Sequence, residues 1–263
     1  MNRRWLIWGL FGLSSLWVVV LTAGSASAIP QDPKKIDEAL TIFNRAKLLH
    51  QDGNYEDAIR EYQRATRLDN KNPWIFNYLG LAQIAVGRSK DAVKSLMTAL
   101  KLNPDITDIH NNLGVVYSEM GEREKAFEEF AAVVRDPTYP TPEKPLFNLG
   151  NLYFRENNFE LALMHYKRAV EKNPSFALGY RGLGKVHLAL GEPELAQKQF
   201  LTALEHAPSD QESLYEMARI YESQADLENA LEFFRRVVQA NRFSVFGRLS
   251  LEKLDTLKPS SEP

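Results

Sequence analysis

Asn112-Leu113-Gly114-Val115-Val116-Tyr117 and Asn148-Leu149-Gly150-Asn151-Leu152-Tyr153 stand 36 residues apart and share Asn, Leu-Gly and Tyr in register. Outward from them, Leu79-Gly80 precedes the first by 34 residues and Leu183-Gly184 follows the second by 34. Ala58, Ala92, Ala126, Ala162, Ala196 and Ala230 keep the same phase. Four residues after each comes a large apolar residue: Tyr62, Leu96, Phe130, Tyr166, Phe200 and Phe234. Pro104, Pro174 and Pro208 close three of the copies. Self-similarity at this period means stacked copies of one supersecondary unit, none able to bury its apolar face alone.

Each slot has a packing reason. Glycine on a first helix lets it approach the second helix of its own hairpin, where a side chain would clash. The alanine does the same from the other side, and the large apolar residues fill what remains. Gly53, Gly87, Gly121 and Gly191 suit the left-handed turn between the two helices. Asn157 holds that slot in the fourth copy and Ala225 in the sixth, where the turn is expected to be under strain.

The pattern resembles the tetratricopeptide repeat: Leu-Gly, then Tyr, then Ala with an aromatic four later, then Pro. The resemblance implies an all-α fold, a right-handed superhelical solenoid of six helix-turn-helix units at 39–72, 73–106, 107–142, 143–176, 177–210 and 211–244. Residues 29–38 read as a lead-in, 245–257 as a capping helix with Phe246, Leu249, Leu254 and Leu257 at apolar spacings, and 258–263 as a disordered tail. The third unit is two residues longer, and its exit, Asp136-Pro137-Thr138-Tyr139-Pro140-Thr141-Pro142, is extended because proline denies helix to its neighbours. It reads either as a tolerated insertion or as a pivot or contact loop dividing the array into two groups of three.

Before the repeats, Arg3 and Arg4 are followed by 19 uncharged residues, Trp5 to Ala23, and then by Ala26-Ser27-Ala28. A basic start, an apolar stretch and a small-residue exit describe a secretory signal peptide over 1–28. The same stretch, about 28 Å long as a helix, also suits a retained membrane anchor. Either way the arginines predict that the repeats lie outside the cytoplasm, in the periplasm or its equivalent. The chain has no cysteine, which excludes disulfides and thiolate metal sites, and its formal charge of −2 gives no reason to expect nucleic acid.

In such a superhelix the first helices line the concave face, at the second, fifth, ninth, twelfth and thirteenth positions of each unit. Those positions give Phe43 in unit one; Trp74, Asn77 and Leu81 in unit two; Asn111 in unit three; Phe147, Asn151, Phe154 and Arg155 in unit four; Arg181 and Lys185 in unit five; and Tyr215 and Arg219 in unit six. Aromatic anchors set among asparagines suit a protein segment, since asparagine can donate to and accept from a peptide backbone. Each buried anchor would contribute roughly 1.5–3 kcal/mol. Arg155, Arg181, Lys185 and Arg219 predict an acidic partner segment for the second half. Phosphate-binding glycine loops and nucleophile elbows are absent, and no two histidines stand three or four apart. The expectation is a protein with no catalytic, cofactor or metal site.

Six such units after an export signal and before a terminal helix resemble the type IV pilus biogenesis and stability proteins, most specifically over Asp136 to Gly150. That resemblance implies a pilotin-like factor that helps an outer-membrane secretin assemble or localise. Members carry a lipid-bearing cysteine after a Leu-x-Gly-like run. Here Leu21-Thr22-Ala23-Gly24 is followed by Ser25, which cannot take the thioether-linked lipid. A tethered adaptor gathering other envelope enzymes or division proteins is the alternative.

Overall fold

A computed structural model describes residues 32–257; the signal or anchor segment 1–28 and the tail 258–263 lie outside the described residues. The described chain forms thirteen α-helices. They pair as α1 (Pro33–Gln51) with α2 (Tyr55–Leu68), α3 (Pro73–Ala85) with α4 (Ser89–Leu102), and α5 (Thr107–Glu119) with α6 (Arg123–Arg135). The series continues with α7 (Glu143–Arg155) and α8 (Phe159–Lys172), α9 (Ala177–Ala189) and α10 (Pro193–His206), and α11 (Gln211–Ser223) and α12 (Leu227–Asn241). A last helix, α13 (Val245–Thr256), follows alone. Among the described residues, helices touch near neighbours along the chain and nothing distant, which makes the molecule an all-α solenoid.

Within each hairpin the two helices meet at glycine and alanine. A Cβ on Gly80 would lie 2.7 Å from Leu96, on Gly114 2.5 Å from Phe130, on Gly150 2.5 Å from Tyr166, and on Gly184 2.8 Å from Phe200. The partner is always sixteen residues on, and Ala58, Ala92, Ala126, Ala162, Ala196 and Ala230 are all fully buried. All six hairpin turns pass through the left-handed region, including Asn157 at φ 58° and Ala225 at φ 60°.

Three expectations need correction. Helix α1 begins at Pro33, six residues before Ala39, because Asp32 caps it by accepting a hydrogen bond from the Lys34 amide at 3.0 Å and proline is well placed in a first turn. The segment 136–142 does not divide the array. Asp136 accepts from the Thr138 amide at 2.9 Å and from the Thr107 hydroxyl at 2.9 Å. Tyr139 is buried, and its hydroxyl donates to Asp108 at 2.7 Å, so the segment is pinned to unit three while α6 and α7 stay packed. Phe246 and Leu254 of α13 and Leu257 at its C-cap join the last core cluster, but Leu249 faces outward beside Val245.

Candidate groove along the first helices

Fifth-position side chains point at the seam between consecutive units, where the sixth-position residue of the next unit meets them. The Phe43 ring lies 5.4 Å from that of Tyr78, edge to face. At the next seam Asn112 donates to the Asn77 side-chain oxygen at 3.0 Å, and at the one after, Asn148 donates to Asn111 at 3.2 Å. This corrects the reading of three groove residues. Phe43 and Asn77 are buried by the following unit and hold the stack together. Tyr215 is likewise half-buried between Phe234, at 5.8 Å, and Phe246, at 5.3 Å, so it seats the terminal helix. Asparagine at these seams bonds to asparagine, leaving less of it for a ligand.

One seam is different. Opposite Phe147 the sixth position of unit five is Gly182, and the Tyr166 ring rises into the space, 2.7 Å from where a Gly182 Cβ would be. With no side chain to cover it, the seam opens into a cavity of about 330 Å³ lined by Phe147, Asn151, Phe154, Arg155, Arg181, Gly182 and Lys185. Six of the thirteen expected groove residues therefore come together here, at the fifth, ninth, twelfth and thirteenth positions of unit four and the fifth and ninth of unit five. Gly182 is the lining residue that groove spacing alone misses. Its signal is a glycine where Tyr78, Asn112 and Asn148 stand in other units.

The walls are fixed from beneath. Phe147 packs on Tyr166 at 5.6 Å and on Phe176 at 5.7 Å; Phe154 packs on Phe159 at 5.8 Å. Asn151 accepts from the Tyr166 hydroxyl at 2.7 Å, and burial holds that phenol above its ordinary pKa, so it stays a donor. Phe147 and Phe154 are thus half-buried anchors, with one face in the core and one toward the cavity.

Charge in the cavity is largely neutralised from within. Arg181 meets Asp210 at 2.6 Å and Glu212 at 3.2 Å; Lys185 meets Glu212 at 2.6 Å and lies 5.6 Å over the Phe154 ring. Glu216, beside them, is held above its ordinary pKa chiefly by burial. Arg155 differs: it is exposed, donates to the Ser118 hydroxyl at 3.1 Å, and makes no ion pair among the described residues. The expected attraction for an acidic partner segment therefore narrows to Arg155. Arg219 is exposed and paired with Glu216 of its own helix at 3.1 Å, and Leu81 is half-buried; neither lines this cavity. Trp74 lies two units earlier in the stack and is 45% exposed.

Comparison with known proteins agrees with this architecture. A family model described as TPR repeat matches residues 46–87 and 150–191, and one described as tetratricopeptide repeat matches 79–140 and 181–245. The protein CTR9 homolog of Arabidopsis thaliana is 27% identical over 250 residues, covering 79% of this chain and 22% of that protein. This chain thus spans about a fifth of that relative's length. Among solved structures, PilW, described as a type IV pilus biogenesis factor, superposes with a TM-score of 0.68 at 22% identity, covering 81% of this chain and 98% of that one. PilF of Pseudomonas aeruginosa superposes with a TM-score of 0.66 at 17% identity, covering 83% and 99%. At these identities the likeness is one of fold. Six in-phase hairpins, the small-residue helix contacts and two matching family models together show that this chain belongs to the tetratricopeptide repeat family.

Proposed function

We propose that this chain is a non-enzymatic scaffold of the cell envelope, and that the open seam between units four and five holds an extended segment of a partner protein. The observation that carries the reading is the cavity itself: two half-buried phenylalanines, a fixed asparagine and an unpaired arginine converge on one concave space between rigid helices. That is the composition of a peptide site, with apolar anchors for affinity and a few polar groups for direction. A partner in type IV pilus biogenesis, acting in secretin assembly or localisation, is supported by the fold likeness to PilW and PilF, which extends over most of this chain and nearly the whole of theirs.

The test is complementation in a piliated host lacking this gene. Phe154→Leu with Arg155→Glu keeps the packing on Phe159 and reverses the cavity charge that has no carboxylate partner among the described residues. Surface pili and assembled secretin should fall while the level of the variant protein matches wild type. Full piliation with this variant would contradict the reading.

A second reading, an inner-membrane-tethered adaptor, is favoured by the uncharged stretch Trp5 to Ala23 and by Ser25, which cannot take a thioether-linked lipid. Mass spectrometry of the mature N-terminus separates the two: Ile29 supports the released factor and Met1 the tethered one.

A further inference from the structure

A second cavity, of about 310 Å³, opens at the N-terminal ends of α3 and α5. Its walls include Trp74 from unit two, Asp105, Ile106 and Asp108 at the entry to unit three, and Asp136 and Tyr139 from the segment that makes unit three two residues longer. The insertion is thus a built wall, held by the Tyr139 hydroxyl on Asp108 and the Thr107 hydroxyl on Asp136. Burial pushes the Tyr139 phenol up to about 12, so it remains a donor to the carboxylate at neutral pH.

The charge here meets hydroxyl and amide donors but, among the described residues, no cationic side chain. No lysine or arginine lines the cavity, and among the described residues no basic side chain pairs with Asp105, Asp108 or Asp136. The Asp105 carboxylate makes no hydrogen bond at all among them. Beside these carboxylates stands the half-exposed Trp74 ring, and an indole face attracts cations more strongly than any other side-chain ring. The carboxylates do not converge as a metal site would: no group of three or more His, Cys, Asp or Glu among the described residues could hold an ion. An acidic rim around an aromatic wall complements an organic cation on a stem, which is the shape of a basic side chain.

We propose that this cavity takes a lysine or arginine side chain from the same extended segment whose apolar part occupies the seam between units four and five. The proposal rests on the peptide-groove reading and names the partner's chemistry more closely. Two unit-to-unit steps, each about 10 Å, separate the two cavities, so the basic residue should fall about six residues from the apolar anchor in an extended chain.

The experiment selects random displayed peptides on the full-length chain in detergent and measures affinities of the winners by calorimetry. Winners should share a lysine or arginine about six residues from an apolar residue. Asp105→Lys reverses a carboxylate with no structural partner, so the fold should be unchanged by circular dichroism. It should weaken these peptides about tenfold, with recovery when the peptide's basic residue is replaced by glutamate. Trp74→Leu, which keeps an apolar wall without the ring face, should weaken them as well. Peptides that need Phe154 and Arg155 but ignore Asp105→Lys would overturn this subsite and leave the groove reading intact. Peptides indifferent to every one of these substitutions would overturn both. Binding heat from Ca²⁺ or Mg²⁺ alone that disappears in Asp105→Lys would make the cavity a metal site and overturn the proposal.

Discussion

The ring of Tyr166 occupies the space that a side chain on Gly150 would need: a Cβ there would lie 2.5 Å from the tyrosine Cε1. Tyr166 is fully buried, and its hydroxyl holds Asn151, one of the residues that line the open seam. The hairpin contact and the candidate site are therefore one structure. Gly150→Leu should force α7 and α8 apart and cost roughly 1–3 kcal/mol, as overpacking of a filled core does. Chemical denaturation would show it. An unchanged midpoint would contradict the hairpin packing.

Ala225 closes the sixth hairpin turn at φ 60°, where an L side chain is strained and glycine is not. Ala225→Gly should raise stability by about 0.5–1 kcal/mol, the strain relieved exceeding the added freedom of the unfolded chain. Asn157→Gly, at φ 58°, should gain less, since asparagine tolerates this region better. Thermal melts of the two variants, compared side by side, check the order.

His165 is buried and stacked on Tyr153 at 5.3 Å, and its Nδ1 has no hydrogen-bond partner among the described residues. Burial, with a lesser contribution from Arg168, lowers its pKa from 6.5 to about 4. The folded state therefore favours the neutral ring. Its stabilising contribution is complete above pH 6.5 and is lost as pH falls from 6.5 towards 4. His165→Leu should match wild type roughly at pH 7 and exceed it by about 2 kcal/mol at pH 4.5. Urea midpoints at the two pH values measure this, and a pH-independent difference would show that His165 is not held neutral.

Helix α13 covers the last hairpin through Phe246 against Tyr215 and through Lys253, which bonds to Glu222 at 2.7 Å. Deleting residues 245–263 should leave the other helices in place but expose Tyr215 and the end cluster around Phe234. Light scattering should then show aggregation. A monomeric truncation as stable as the full chain would show that α13 is not a cap.

The hairpins are legible in the sequence because their decisive contact is local: a glycine or alanine and a large residue sit a fixed distance apart, so the phase repeats. The start of α1 is harder to see, because the capping pair Asp32-Pro33 lies ahead of the first repeat and passes for lead-in. The corrections in the groove share a cause. Helical spacing tells which side chains share a face, but Phe43, Asn77 and Tyr215 share theirs with a neighbouring element that covers it. Charge is hidden in the same way. Arg181 and Lys185 look free on their own helix, and their partners, Asp210 at the cap of α11 and Glu212 in its first turn, arrive across the seam.

The proposed partner surface is the open seam between units four and five. Placing a photo-crosslinking residue, p-benzoylphenylalanine, at Arg155, and separately at the exposed Met164 on the second helix of the same unit, tests it directly in the living host. One discrete protein adduct is expected on irradiation of the Arg155 variant and none from Met164. Adducts from Met164 with none from Arg155 would contradict it.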